Sequence, residues 1–407
     1  MTATTEGYPT AYGSAGHVLD LIRRSGGLTR ADIVERTGLS RATVAARLDT
    51  LVTAGLLVAG STTAARGRPP SQFHLREDRG VLLIADAGAT SVRAAVTDLV
   101  GRVRTDTRAP LDVTLGPQEW LTTVDRLFVE LLAEVRASAA DVLGIGIALP
   151  GPVDFSTGTV VSPPIMTGWD GYPIPTWFAG RYDCPVLVDN DANAMTVGEH
   201  TTAHPTASSM LMLKIATGIG AGIVADGHIY RGADGAAGDL GHLQIERAGE
   251  DEPPVCRCGN LGCIEAYAGG WALARDLREG GRQATTTLDV IGLVSAGDPL
   301  ATSLVRRAGR TIGVGIADAV SLLNPAVVVI GGELAAAAGH LMAGIRESVY
   351  RRSLPLATRR LEIVPATLGS MAGVVGLATI LTDHIFDPGR IDAAIDEGTR
   401  TPHRPAT

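Results

Sequence analysis

The 407-residue chain is poor in cysteine, aromatic residues and lysine: four cysteines, 4% aromatics and a single lysine. So few thiols exclude the dense disulfide framework of a small secreted domain. No apolar run approaches the roughly 18 residues that a membrane helix requires. The opening segment MTATTEGYPT also lacks the basic stretch followed by an apolar one that marks a secretory leader. The expectation is a cytoplasmic protein with no membrane partner. Lys214 is the sole lysine, with arginine at every other cationic position, and reads as compositional bias. The length exceeds that of one compact core, so two or three units are expected.

The formal charge of -8 disfavours nucleic acid for the chain as a whole, but it is unevenly spread. Residues 1–76 hold nine arginines against five acidic residues, a balance of +4, which leaves -12 for the remainder. A small basic module on an acidic body is the asymmetry of a DNA reader joined to a sensing domain. The pattern within that module agrees. After a first helix at about Ser14 to Arg24, residues 28–58 read as two helices joined by a tight turn. Thr29 and Asp32 have capping-box spacing, Gly38 breaks the first of these two helices, and Ser40 is placed to cap the second. In that second helix Val44, Leu48, Leu51 and Val52 recur at core spacing, which leaves Thr43, Ala46, Arg47 and Thr50 on another face. Ser40 and Arg41 at its start, with Thr43 and Arg47, are candidates to meet phosphates or base edges. Leu56 to Ala59 and Gln72 to Leu75 are expected to pair as a wing. Its tip carries Arg66 and Arg68, able to follow a narrow minor groove. Together these elements resemble a winged helix-turn-helix over residues 1–78, with operator DNA as partner.

From Val81 the pattern changes to strands. Residues 81–106 read as strand, turn, strand, turn, strand, followed by an amphipathic helix from Pro117. The same type of unit recurs at Met210 to Tyr230, so the body is expected to be a duplicated, two-lobed α/β structure with βββα units around a cleft. Three turns in it are built to approach phosphates: one around Asp86, Gly88 and Thr90, one around Thr217, Gly218 and Gly220, and Gly331 with Gly332 after the strand AVVVI. His242, Cys256, Cys258 and Cys263 have the spacing H-x13-C-x-C-x4-C. Three soft thiolates and an imidazole form a closed set for structural Zn²⁺.

Residues 79 to about 386 resemble the ROK family of bacterial repressors and sugar kinases, within the actin/hexokinase-like fold. The motifs are GIGIALPGPVD (144–154), VDNDANAMTVGE (188–199), GAAGDLGH (235–242) and CRCGNLGCIE (256–265). The resemblance divides the body into lobes at 79–200 and 201–386, with 387–407 read as a disordered tail. It places Asn190, Asp191, Asp239, His242 and Glu265 on the positions that hold sugar hydroxyls. Asp191 is also the position of the general base in the kinases, and Asn190 and Asp191 equally suit a helix cap. Asp239 stands where the family has a glutamate. Departures gather where the kinases hold ATP: Ala89 and Ala216 replace glycines of the phosphate turns, and Glu333 follows Gly331-Gly332 where a third glycine is usual. A Cβ obstructs the approach to phosphate and an acid repels it. The expected protein is a sugar-responsive DNA-binding regulator, a homodimer or homotetramer with structural zinc. The alternative is a sugar kinase, or a bifunctional protein, that uses ATP and Mg²⁺.

Overall fold

A computed structural model gives the structure of the chain and describes residues 13–60, 71–246 and 252–397. Helix α1 (Ala15–Arg24) starts at Ser14, whose hydroxyl accepts the His17 amide, and buries Val18, Leu19 and Ile22. After the short strand β1 (Leu28–Thr29), the reciprocal capping box of Thr29 and Asp32 starts α2 (Arg30–Thr37), and Gly38 ends it in the left-handed region at φ +69°. Ser40 caps α3 (Arg41–Thr53) by accepting the Thr43 amide. Strands β2 (Leu57–Ala59) and β3 (Gln72–Leu75) pair antiparallel, with β1 on the other side of β3. This is the expected winged helix. Val44, Leu48 and Leu51 are buried, whereas Val52, expected in the core, is 42% exposed on the last turn of α3. The wing tip with Arg66 and Arg68 lies outside the described residues.

The body begins with the antiparallel meander β4 (Val81–Ala87), β5 (Ser91–Thr97) and β6 (Val103–Pro110), followed by α4 (Pro117–Glu134). Strand β7 (Val142–Leu149) then runs parallel to β4. The hairpin β8 (Val153–Asp154) and β9 (Thr159–Val160) and helix α5 (Ile174–Ala179) lead to β10 (Val186–Asn190), which is parallel to β7. Helix α6 (Asp191–Ala203) follows without a break. A second meander comprises β11 (Met210–Ile215), β12 (Ile219–Ala225) and β13 (His228–Tyr230). After it come α7 (Ile264–Ala268), α8 (Gly270–Glu279), α9 (Thr287–Ser295), α10 (Pro299–Leu323), β14 (Val327–Gly331), α11 (Ala338–Arg352), α12 (Pro355–Thr358) and β15 (Glu362–Pro365). The sheets are ordered β10-β7-β4-β5-β6 and β13-β12-β11-β14-β15. Each is a meander with two parallel strands added beside its first strand, which is the physical form of the repeat read in the sequence.

Two helices cross the boundary drawn between the lobes. Helix α6 packs on β11 and β12 of the second sheet, while α13 (Ala372–Ile385), from the far end of the chain, packs on β4 and β7 of the first. They can cross because each presents a glycine to the other's backbone. A Cβ added at Gly376 would lie 1.7 Å from the Ala194 carbonyl oxygen, and one at Gly198 would lie 2.2 Å from that of Ala372.

The expected disordered tail is ordered over its first part. Helix α14 (Pro388–Asp396) is capped by Asp387 and packs on α1, with Ile391 buried and Ile395 partly buried in the core shared with Val18 and Leu19. Asp392 Oδ1 accepts the Gly16 amide at 2.8 Å, at the N-terminus of α1. Arg23 and Arg24 on α1 pair with Asp383 near the end of α13, at 2.6 and 3.2 Å. A polar composition masked a helix whose two isoleucines, four residues apart, face the winged-helix domain. Residues 398–407 lie outside the described part.

Candidate functional site

A cavity of about 370 Å³ opens between the two sheets, lined by apolar and polar groups in the proportions of a small-molecule site. Of the residues named from sequence, Asp86, Gly88, Thr90, Asn190, Asp191, Thr217, Gly218, Gly220, Asp239, His242, Glu265 and Gly332 all line it. Gly331 does not. It is the last residue of β14, and a Cβ there would meet Met212 and Ala366 in the core, so it serves sheet packing. Gly332 beside it requires glycine, since its φ is +89° and a Cβ would lie 2.4 Å from the Ile215 carbonyl oxygen.

The polar groups of the cleft are already committed to one another. Asn190 caps α6, its Oδ1 accepting the amides of Ala192 and Asn193 at 2.9 and 3.3 Å, and its Nδ2 donates to Gly151 O at 3.0 Å. Its role as a cap is therefore realised, and its amide fixes the first residue of α6, Asp191, in the cleft. Glu265, at the start of α7, accepts the Ile219 amide at 2.9 Å on Oε2 and Trp271 Nε1 at 3.2 Å on Oε1. It thereby ties the Thr217-Gly218 turn to α8, whose first amides, Gly270 and Trp271, bond to Ala216 O and Thr217 O. Carboxylates retain acceptor capacity after two such bonds, so a sugar hydroxyl still finds a partner there. Asp239 is exposed, 3.9 Å from His242 Nε2. Its shorter side chain leaves it at the cleft edge.

Sequence reasoning passed over Lys214, which lines the cleft from β11 and forms an ion pair with Asp191. Burial opposes its charge, but Asp191, Asp86 and Glu333 together hold its pKa above the ordinary lysine value. Asp86, on β4, is pushed up to about 6 by burial, against the pull of Lys214. Its carboxylate lies against Gly373 of α13, where an added Cβ would sit 2.2 Å from Oδ2. Arg108 on β6 reaches across the cleft to Glu333 at 2.9 Å. The signal for Lys214 was present: it is the only polar residue in the strand MLMLKI.

The four metal-ligand candidates converge, with their donor atoms all within 4.8 Å of one another. Cys258 and Cys263 sulfurs are 3.7 Å apart, and Cys256 sulfur is 3.6 Å from His242 Nδ1. Zn–S bonds of about 2.3 Å in a tetrahedron put two sulfurs roughly 3.8 Å apart, so the set fits that ion. Burial pushes the Cys256 and Cys263 thiols up, so a cation is what would draw three thiolates together here. His242 offers Nδ1 to the cluster and turns Nε2 toward Asp239 and the cleft, so one ring joins the two sites.

On the winged helix Arg41 is exposed at the first turn of α3, while Ser40 and Thr43 hydroxyls lie 2.8 Å apart in the cap. Arg47 is exposed on the same helix. Its Nε donates to the Gly13 carbonyl at 3.0 Å, which ties α3 to the segment before α1.

Residues 83–384 match the ROK family, and residues 13–67 match the MarR family. The chain belongs to the ROK family. It is 27% identical to the xylose repressor of Bacillus spizizenii over 372 residues, covering 91% of this chain and 95% of that one. Among solved structures, a ROK family transcriptional regulator homologous to the E. coli MLC protein superposes with a TM-score of 0.78 at 27% identity, over 94% of this chain and 98% of that one. A ROK family glucokinase from Streptomyces griseus, in complex with glucose and AMPPNP, superposes with a TM-score of 0.63 at 27% identity. It covers 99% of that chain but 74% of this one. This ROK chain thus carries a DNA-binding domain in addition to a kinase-like body.

Proposed function

We propose that this ROK protein is a transcriptional regulator, a repressor, whose cleft takes a sugar or sugar derivative and thereby changes its affinity for operator DNA. The observation that carries this reading is the joint between the domains. Helix α13 starts at the cleft, where Gly373 meets Asp86, crosses α6 just behind Asn190 and Asp191, and carries in its last turn Asp383, paired with α1 of the winged helix. A ligand that favours one arrangement of α6 against α13 therefore also biases the seat of the DNA-binding domain. Likeness to a regulator over both domains supports the same reading. Release of DNA is the expected sign. The protein acts in the cytoplasm as a homodimer or homotetramer, since a symmetric operator needs paired α3 helices.

The test is binding to the protein's own upstream DNA during titration with candidate sugars. Arg41→Ala is expected to weaken that binding by roughly 1–3 kcal/mol if it reads a base, or to lower the salt slope by about 1 if it meets a phosphate. An unaltered affinity and salt slope by fluorescence anisotropy would remove α3 from the interface. A sugar kinase is the second reading, favoured by the glucokinase likeness and by the position of Asp191.

Zinc held by His242, Cys256, Cys258 and Cys263 would pin the loop that carries His242 and leads into Glu265. Purified protein is expected to hold about one zinc per chain. Cys258→Ser should lower that content and weaken sugar binding with it, and full occupancy of the variant by elemental analysis would rule the site out.

A further inference from the structure

The glucokinase neighbour was solved with a nucleotide analogue, and this cleft keeps Asp86, Gly88, Thr90, Thr217 and Gly218, so ATP with Mg²⁺ is the group whose fit has to be tested. The residues do not fit it. In the first turn the Gly88 amide donates to Ser91 O at 2.8 Å, and in the second the Ala216 amide donates to Gly218 O at 2.9 Å, so neither is offered to a phosphate. Glu333 presents a carboxylate at the third turn and is joined to Arg108 across the opening between the sheets. Most tellingly, the only lysine of the chain reaches out of an otherwise apolar strand to pair with Asp191, in the cleft that Asp86 also lines. An ion buried at that cost is retained for a purpose more often than for stability.

We propose that Lys214 is the resident cation of the cleft: its ammonium faces Asp86 and Asp191 where a nucleotide-bound divalent ion would need those carboxylates, which restricts the site to a free sugar. Magnesium in phosphate sites is held by one or two carboxylates together with the phosphate oxygens. Here the ammonium already pairs with Asp191 and offsets one of the two negative charges, and it repels a second cation at close range. Lys214 is thus a specificity-determining residue. It withdraws the metal-binding capacity of the cleft and occupies one Asp191 oxygen with a donor, while Asp191 keeps lone pairs for a sugar hydroxyl. The conversion of a kinase-like cleft into a sensor site then needs no loss of Asp86 or Asp191.

The inference rests on the sugar-sensing reading only for what the cleft admits, and its test is independent of sugar. Manganese, a paramagnetic stand-in for magnesium, is titrated with and without ADP into zinc-loaded full-length protein and followed by electron paramagnetic resonance. Wild type is expected to show no saturable site below millimolar concentration. Lys214→Met keeps an unbranched side chain, one atom shorter, but removes the charge, and should tighten manganese binding at least about tenfold. Adding Asp86→Asn to it should abolish the gain. Absence of a gain in a folded Lys214→Met protein, or its persistence in the double variant, would overturn the proposal. The wild-type measurement decides even where the variant fails to fold, because saturable manganese-ADP binding by wild type, competed by magnesium-ADP, contradicts a resident cation. A wild type that binds neither manganese nor any sugar would sink the sensing reading and leave this one standing.

Discussion

Gly376→Ala is expected to destabilise the protein by at least about 3 kcal/mol, although it adds one methyl group to a helix and alanine is the better helix former. The methyl carbon would sit 1.7 Å from Ala194 O, 2.7 Å from Ala194 C and 2.9 Å from the Gly198 amide nitrogen. All three are backbone atoms, so no side chain can swing aside and the two helices must separate. Separation opens the contact between the helix that begins with Asp191 and the helix that carries Asp383 in its last turn, and a folded remnant should respond less to effector. Gly292→Ala supplies the control, as it lies inside α9 with nothing within 4 Å of the added carbon. It should be stabilising by about 0.5–1 kcal/mol. Denaturant unfolding of both variants checks the argument. A loss below about 1 kcal/mol for Gly376→Ala would show that the α6–α13 crossing is looser than described.

Much of this architecture was legible from local chemistry. The Thr29/Asp32 capping box, Gly38 and Ser40 place α2 and α3 because each satisfies backbone groups that a helix end leaves unpaired. The cysteine spacing pointed to the His/Cys group because its three thiols fall within eight residues, with His242 fourteen positions before the first of them. The two meanders were visible because glycine turns punctuate short apolar strands. What sequence could not show is which element a side chain meets across hundreds of residues. Arg47 reads as a base-contacting residue, and its bond to Gly13 O across 34 residues has no signal in the sequence. Asp392 and Ile391 read as the polar end of the chain, and Asp383 as part of the second lobe, until α1 is placed against them. Lys214 looked like arginine-rich composition, and only the approach of α6 to β11 gives it a partner. Asn190 and Asp191 followed from resemblance, but their division of labour, one capping the helix and the other pairing with the lysine, is a property of the fold.

That division sets up the experiment that separates a regulator from a kinase. In a kinase Asp191 must take the proton of the attacking sugar hydroxyl, and an Asn in its place should abolish turnover while sugar still binds. In a regulator the Asp191 carboxylate, held by the Lys214 ammonium, would serve as a fixed acceptor, so its loss would remove a charged hydrogen bond to the sugar and leave Asp86 as the carboxylate that attracts Lys214. Asp191→Asn is accordingly expected to weaken the effector by about 1.5–3 kcal/mol, roughly ten- to a hundredfold in concentration, and to leave operator affinity without effector unchanged. Wild type should show no sugar-dependent ATP hydrolysis above background. Calorimetry with the effector, operator binding by anisotropy and a coupled ADP-release assay measure the three quantities separately. Phosphorylation of any sugar by wild type, lost in Asp191→Asn, would reverse the order of the two readings. It would mean that the ammonium beside Asp191 orients a catalytic base and does not disarm one.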